Sequence, residues 1–402
     1  MGLTVVSLFS GCGGMDLGFK QAGFDIIWAN DVFKDAVETY KLNLGNHIVL
    51  GDITTIDSSQ IPNNPTVIIG GFPCQGFSIN NTKRSMQDSR NFLYKELLRV
   101  IKDKQPKFFV AENVKGLLSM ENGKVIEMIV NDFSELGYKV DYKLLCASDY
   151  GVPQNRYRVI ILGNRLGCHN PFPIETHSEV PNFVLKKAPT VAESIGDLAD
   201  IPISDKPIVL NDKIIYNHMA RTNVGETYLA RKYEVDQHEF CDFLKEFKNR
   251  EHLTLDQIAD RMYLPKTQVA HWFRKDKYGS LPTKDEYLQL QQILCFGDVY
   301  TKQMTTLIEK PIVFEQALRV TNWDRPSDTI TATEAEIHIN KQRRLSVREV
   351  ARLQSFPDSF IFKGSLDNQY KQVGNAVPPL LARKIAEGIS HCLLSNETMQ
   401  VV

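Results

Sequence analysis

The chain has 402 residues, room for two or three domains. With 43% hydrophobic and 24% charged residues it has ample apolar material to bury, which excludes disorder along its whole length. Its 47 basic and 48 acidic residues leave a formal net charge of −1, so any nucleic-acid or membrane partner must be met by a local patch.

Thr4 to Phe9 is a short β-rich run followed by a glycine loop. Met15 to Ala22 predicts a helix closed by Gly23, Ile26 to Ala29 a second strand, and Val32 to Asn43 a second helix. Thr66 to Ile69 is a further strand. Leu93, Leu97, Val100 and Ile101 recur at helical spacing, with Pro106 beyond the end. Phe108 to Ala111 is again a strand, and Val125, Ile126, Ile129, Val130, Phe133 and Leu136 form a helical stripe closed by Gly137. Lys139 to Cys146 and Arg158 to Leu162 complete the set. This alternation predicts an α/β fold with a parallel sheet covered on both faces, and ligands outside the carboxyl ends of its strands. From about Pro171 the rhythm breaks, and residues 171 to 212 are rich in Pro, Asp and Asn. Residues 227 to 296 look helical, with one stripe at Leu255, Ile258, Ala259 and Met262 and another at Val269, Trp272 and Phe273 after Pro265. Thr254 with Gln257 and Thr283 with Glu286 have the spacing of capping boxes. An irregular stretch after Val313 precedes helices at Val347 to Gln354 and Pro379 to Leu394.

Seven cysteines, an odd number without a C-x-x-C pair, argue against a disulfide framework or a zinc ribbon and suit a reducing compartment. No metal site is expected. No apolar run reaches the roughly 18 residues of a membrane span, and the N-terminus has no basic leader. A cytoplasmic protein without membrane partners is expected.

The first loop reads Phe9-Ser10-Gly11-Cys12-Gly13-Gly14, with Asp16 where a third dinucleotide-fingerprint glycine would stand. Glycines there let a cofactor approach the backbone. Asp31, ending the second strand, is placed to accept from ribose hydroxyls, and Asp52 after the next short strand from an adenine amino group. The alternative is a tight turn with solvated acids. The strand at Thr66 runs into Gly70-Gly71-Phe72-Pro73-Cys74-Gln75, so Cys74 stands at a sheet edge, as a nucleophile or as an inert buried thiol. The next strand ends in Ala111-Glu112-Asn113-Val114, where Glu112 suits an acid or hydrogen-bond donor, or a helix cap. In Gln154-Asn155-Arg156-Tyr157-Arg158 two arginines share one side of an extended chain, and one could reach the site. Between Arg261 and Lys277 five basic residues face one acid, a local excess of four positive charges. The two short helices there resemble a helix-turn-helix presenting Thr267, Gln268, His271 and Arg274, either to DNA or merely to solvent.

Phe-x-Gly-x-Gly-Gly, Pro-Cys-Gln, Glu-Asn-Val, Gln-x-Arg-x-Arg and Gln372-Val373-Gly374-Asn375-Ala376-Val377-Pro378 occur in that order. The ordered set resembles the DNA (cytosine-5)-methyltransferases of prokaryotic restriction–modification systems, over residues 1 to about 165 and about 317 to 394. Asp88-Ser89-Arg90 with Leu93, Asn217-His218 and Arg344-Leu345-Ser346-Val347-Arg348-Glu349 also fit. The resemblance implies a Rossmann-like methyltransferase domain at 1–180 and a variable target-recognition domain at 181–345, carrying the helix-turn-helix-like insertion. A C-terminal segment, 346–402, would return to the first domain. It implies S-adenosylmethionine held by Phe9, Gly11, Cys12, Gly13, Asp31, Val32, Asp52, Ile53, Pro73, Leu93, Asn375 and Ala376. Val32 departs from the bulkier residue usual after the acid. The same resemblance implies catalysis by Cys74 and Glu112 with Arg158 and a supporting Arg156, on a cytosine flipped from duplex DNA. DNA contacts are expected at Ser78, Asn80, Gln268, His271, Arg274 and Lys275. A cognate restriction endonuclease is the expected partner and a monomer the expected state. The alternatives are a tRNA-directed enzyme of the same superfamily, a catalytically silent DNA-binding homologue and, from the glycine loop alone, a nicotinamide or flavin oxidoreductase.

Overall fold

The computed structural model describes residues 2–73, 93–222, 237–275, 278–298, 301–308, 319–333, 335–340 and 342–400. Two compact units divide the chain. The first comprises Met1–Ala220, Thr321–Ala335 and Leu345–Val402, the second Arg221–Val320 and Glu336–Arg344.

The first unit is built on seven strands: β1 (Thr4–Leu8), β2 (Asp25–Asp31), β3 (Ile48–Leu50), β4 (Val67–Gly70), β5 (Phe108–Val114), β6 (Lys139–Cys146) and β7 (Tyr157–Asn164). They form one sheet in the order β3-β2-β1-β4-β5-β7-β6. The five strands from β3 to β5 are parallel, but β7 runs antiparallel to both β5 and β6, so the sheet is mixed rather than all-parallel. The reason lies in the connection: residues 147–156 are too few for a helical crossover, which takes a dozen or more.

Strict alternation in the strands sorts their side chains onto two faces. Val6, Leu8, Ile68, Phe109, Ala111, Val159 and Ile161 meet α3 (Leu93–Lys104) and α4 (Lys124–Glu135) through Leu97, Ile101, Ile126 and Phe133. Val5, Val67, Ile69, Phe108, Val110, Ile160 and Leu162 meet α1 (Gly14–Gln21) and the last helix (Pro379–Gln400) through Phe19, Leu381, Ile385 and Ile389. A Cβ on Gly18 would overlap the Pro379 carbonyl and Ala382, so only glycine admits this close helix pair. The helix at Pro379 thus packs against the sheet.

A third cluster gathers α2 (Lys34–Asn43), α5 (Val191–Ile195), the helices Val347–Leu353 and Leu366–Asn375, and Phe356, Phe360 and Phe362. It explains why the first unit extends past the expected boundary at 180. Thr190 caps α5 and buries Val191 and Ile195 in this cluster. His218, fully buried, bonds Ser346 Oγ at 3.0 Å, and the Arg348 guanidinium donates to the carbonyls of Tyr216, Pro357 and Phe360. The helix Leu366–Asn375 was not expected from sequence.

The second unit is helical: α6 (Gln237–Arg250), α7 (Leu255–Met262), α8 (Lys266–Trp272), α9 (Lys284–Ile293) and α10 (Thr301–Ile308). Both expected capping boxes form, at Thr254/Gln257 and Thr283/Glu286. Tyr263 in a left-handed conformation ends α7 and Pro265 caps α8, giving a tight turn between two short helices. Ile258, Met262, Val269 and Trp272 from this pair bury against Phe240, Leu244, Tyr287 and Leu290 in a separate core.

Candidate active site

The glycine loop leaves β1 at Leu8 and enters α1 at Gly14. Phe9, Gly11 and Gly13 all take positive φ, and a Cβ on Gly13 would run into the side chains of Leu44 and Tyr40. Asp31 clamps this loop: Oδ2 accepts from the Gly11 N–H at 2.7 Å and Oδ1 from the Phe33 N–H at 2.8 Å. Burial pushes the Asp31 carboxyl up, and those backbone donors oppose the shift. The buried Asn30 donates to the carbonyls of Val49 and Gly51, fixing the end of β3 beside that of β2. Asp52 then opens a short turn by accepting from Thr54, while Ile53 is buried in the cluster that Phe9 and Leu93 adjoin. Val32 is 70% exposed beside Asp31.

The C-terminal segment closes the other side. Cys12 and Ala376 share one core cluster, and Cys12 Sγ donates to the Gln372 carbonyl at 3.7 Å. Burial pushes the Cys12 thiol far up, so it stays protonated. Asn375 is exposed at the end of its helix, and Lys371 lies over the Phe33 ring within the field of Asp31. Asn30 and Lys371 were not singled out from the sequence, and a lone polar residue in a strand or helix carries no signal of such a role.

Glu112 falls inside β5 rather than after it, because the strand runs on to Val114. Antiparallel register puts β7 beside it, and Arg158 Nε pairs with Glu112 Oε1 at 2.7 Å, both side chains about nine-tenths buried. Burial raises the Glu112 carboxyl, with Arg158 and then Arg156 opposing. Glu112 Oε2 lies 3.0 Å from where a Cβ on Gly71 would sit, and Asn113 Nδ2 donates to the Phe72 carbonyl at 3.2 Å. The end of β5 therefore holds the two residues that lead through Pro73 to Cys74. Cys74 itself, with Ser78 and Asn80, lies outside the described residues.

Arg156 is fully buried, and its guanidinium donates to the carbonyls of Ile330 at 2.9 Å and Gly374 at 2.7 Å. Gln154 joins the same seam, accepting from the Ile330 N–H and donating to the Leu353 carbonyl. Arg156 thus ties the chain to its C-terminal segments, while Arg158 faces the carboxylate. Arg156→Ala leaves two buried carbonyls without donors, at about 1–3 kcal/mol each. A loss of about 2–5 kcal/mol in urea unfolding is the expected result. A loss below about 1 kcal/mol would contradict it.

In the second unit Gln268, His271 and Arg274 are exposed and Lys275 is partly so. Three side chains of this region are held by acids: Lys266 by Asp256 at 2.7 Å, Lys275 by Asp242 at 2.6 Å and Gln268 by Glu286 at 2.7 Å. The local cation excess read from residues 261 to 277 is therefore partly balanced by acids from neighbouring helices. Among the described residues no helix is long and apolar enough to cross a membrane.

The family model for C-5 cytosine-specific DNA methylases matches residues 3–391. The chain is 35% identical over 407 residues to the Type II methyltransferase M.FnuDI of Fusobacterium nucleatum, covering 99% of this chain and 97% of that one. It is 34% identical over 400 residues to the Type II methyltransferase M1.HphI of Haemophilus parahaemolyticus, covering 97% and 87%. Its fold matches the solved structure of the Entamoeba histolytica methyltransferase EhMeth with a TM-score of 0.56 and 15% identity, covering 98% and 99%. With the model spanning nearly the whole chain, the chain belongs to the C-5 cytosine-specific DNA methylase family.

Proposed function

We propose that this enzyme methylates C5 of one cytosine in a specific duplex DNA sequence, using the groups at the carboxyl edge of the first unit's sheet. The observation that carries the residue assignment is the pairing of Glu112 with Arg158 directly against the segment leading to Cys74. The edge also suits S-adenosylmethionine. Space above Gly11 is open, Asp31 keeps lone pairs beyond those its backbone donors take, and the exposed Val32 offers apolar surface. When bound, S-adenosylmethionine supplies an electrophilic methyl group. Asp31 would hold its ribose, Asp52 its adenine amino group, and Phe9, Gly11, Cys12, Gly13, Pro73, Leu93, Asn375 and Ala376 would line the remainder. Asp31→Ala removes charge-assisted hydrogen bonds worth about 1.5–3 kcal/mol each. Cofactor affinity should fall tenfold or more with DNA affinity retained, and an unchanged calorimetric titration would reduce Asp31 to a turn residue.

The chemistry falls to the chain's own groups. The target cytosine must leave the duplex, at about a few kcal/mol. The Cys74 thiolate adds to C6, making C5 nucleophilic. Glu112, its carboxyl raised by burial, gives a proton to N3 and offsets the developing charge. Arg158 fixes Glu112 and reaches the cytosine carbonyl. After methylation the C5 proton is removed and Cys74 leaves.

We place target reading in the second unit, with Gln268, His271, Arg274 and Lys275 toward DNA. Exposed ion pairs such as Lys275–Asp242 contribute only about 0–1 kcal/mol, so phosphates can replace the acids. The Type II names of the relatives support a restriction endonuclease of the same specificity as partner, and the enzyme acts as a cytoplasmic monomer in this reading. Bisulfite sequencing of DNA from cells expressing the chain tests the whole proposal. Methylcytosine at one recurring sequence is expected, and methyl incorporation into tRNA but not DNA would overturn it.

A further inference from the structure

The glycine loop rests on a buried carboxylate that the reaction does not use. Asp16, in the first turn of α1, is fully buried, and no ion pair joins it among the described residues. Its Oδ2 accepts from Ser7 Oγ at 3.0 Å, and its Oδ1 from the Tyr40 hydroxyl at 2.9 Å. Ser7 belongs to the incoming arm of the loop, where Ser10 Oγ donates back to it at 2.8 Å. Tyr40 belongs to α2, and its ring packs against Gly13 in the outgoing arm. Its hydroxyl also meets His47 Nε2 at 3.0 Å.

We propose that Asp16 is a positioning residue for cofactor binding: its ionised carboxylate draws the two arms of the glycine loop together from below. The proposal rests on the S-adenosylmethionine reading given above. In the ionised form both carboxylate oxygens accept, so both arms are held by charge-assisted bonds. A protonated Asp16 must itself donate, so one of the two bonds reverses and the hydroxyl that receives it turns its own proton elsewhere, Ser7 toward Ser10 or Tyr40 toward His47. Both bonds then lose the charge that strengthened them, and the two arms are held less tightly.

Burial raises the Asp16 carboxyl to about 6, against the pull of Tyr40 and Ser7. The other groups facing it are Cys12, whose thiol stays protonated, Tyr40, pushed far up, and Asp31 at the end of β2, also raised. His47 is pushed down by its own burial and then by Lys20, with Asp25 opposing, so it stays neutral at neutral pH. Ionisation of Asp16 is therefore present at pH 7.5 and lost as pH falls through about 6.

Calorimetric titration of the full chain with S-adenosylmethionine across the range where Asp16 titrates tests this without reading activity. Wild-type affinity should drop roughly tenfold toward the acid end. Asp16→Asn, which keeps shape but not charge, should bind weakly throughout, with most of that drop gone. Tyr40→Phe keeps the ring under Gly13 and removes one donor to the carboxylate, so its drop should begin at higher pH than in the wild type. Circular dichroism identifies a variant that has failed to fold, and Tyr40→Phe then carries the test. An Asp16→Asn profile that follows the wild type at every pH, or a Tyr40→Phe profile without displacement, overturns the proposal. A folded wild type that binds no S-adenosylmethionine at any pH overturns the cofactor reading instead, and this proposal with it.

Discussion

Cys74→Ser should abolish methyl transfer while leaving binding of DNA and S-adenosylmethionine in place. The nucleophile at C6 must be an anion at neutral pH. A thiol near its ordinary range supplies a small but useful thiolate fraction, whereas a serine hydroxyl supplies essentially none. Shape barely changes, so Phe72, whose carbonyl Asn113 holds, has no reason to move. DNA carrying 5-fluorocytosine at the target separates attack from turnover. Fluorine at C5 cannot leave as a proton does, so the wild-type enzyme should remain covalently attached. The serine variant should bind the same DNA and release it on denaturation. Retention of even a tenth of wild-type turnover by Cys74→Ser would remove the thiolate from the mechanism. Cys12, in the glycine loop at this edge, offers no substitute, because it is buried and held protonated.

The parallel half of the sheet was legible because four of its five strands precede a helix with its own apolar stripe, two of these helices closed by a glycine. Gly23 and Gly137 both adopt the left-handed conformation that such a stop requires. The direction of β7 was not read, since alternation is blind to strand direction, although the short link from Cys146 to Tyr157 already disfavoured a crossover. The helix Leu366–Asn375 was missed for a different reason. Its apolar residues are few, Leu366, Tyr370 and Val373, and Gly374 inside it reads as a breaker. That glycine stands where a Cβ would overlap the Thr331 carbonyl. Residues 181 to 220 looked like the start of a second domain because composition cannot report partners more than a hundred residues away. Asn217, for example, is fixed by Phe362 and Gln369. The positions of Glu112, Asp31 and the glycine loop were readable as motifs, but the division of labour between Arg156 and Arg158 was not. Two arginines of one extended segment, two residues apart, meet different partners, one of them backbone carbonyls.

Glu112→Gln should lower single-turnover methyl transfer by about 100- to 10,000-fold, the range expected when a positioned acid is lost. The amide still offers a donor toward N3 but has no proton to give, so charge building on the ring goes uncompensated. Geometry favours a clean substitution. Gln Oε1 can still accept from Arg158, which sits 2.7 Å from the carboxylate in the wild type, and the small clearance to Gly71 is kept. The fold and the cofactor titration should therefore match the wild type. Arg158→Ala provides the contrast. It leaves Glu112 buried without its main cation, and a lone buried carboxylate answers by taking up a proton. If Arg158 served only to hold Glu112 ionised, its removal would leave a better proton donor and a faster step. If it also orients Glu112 and holds the cytosine carbonyl, Arg158→Ala should lose rate by a factor comparable to Glu112→Gln. In that case the double variant should lose little more, because the two side chains act as one unit. Rapid-quench measurement of tritiated methyl groups on a duplex carrying the target site gives all three rates. An additive double variant would show that Glu112 and Arg158 act independently and would break the paired assignment.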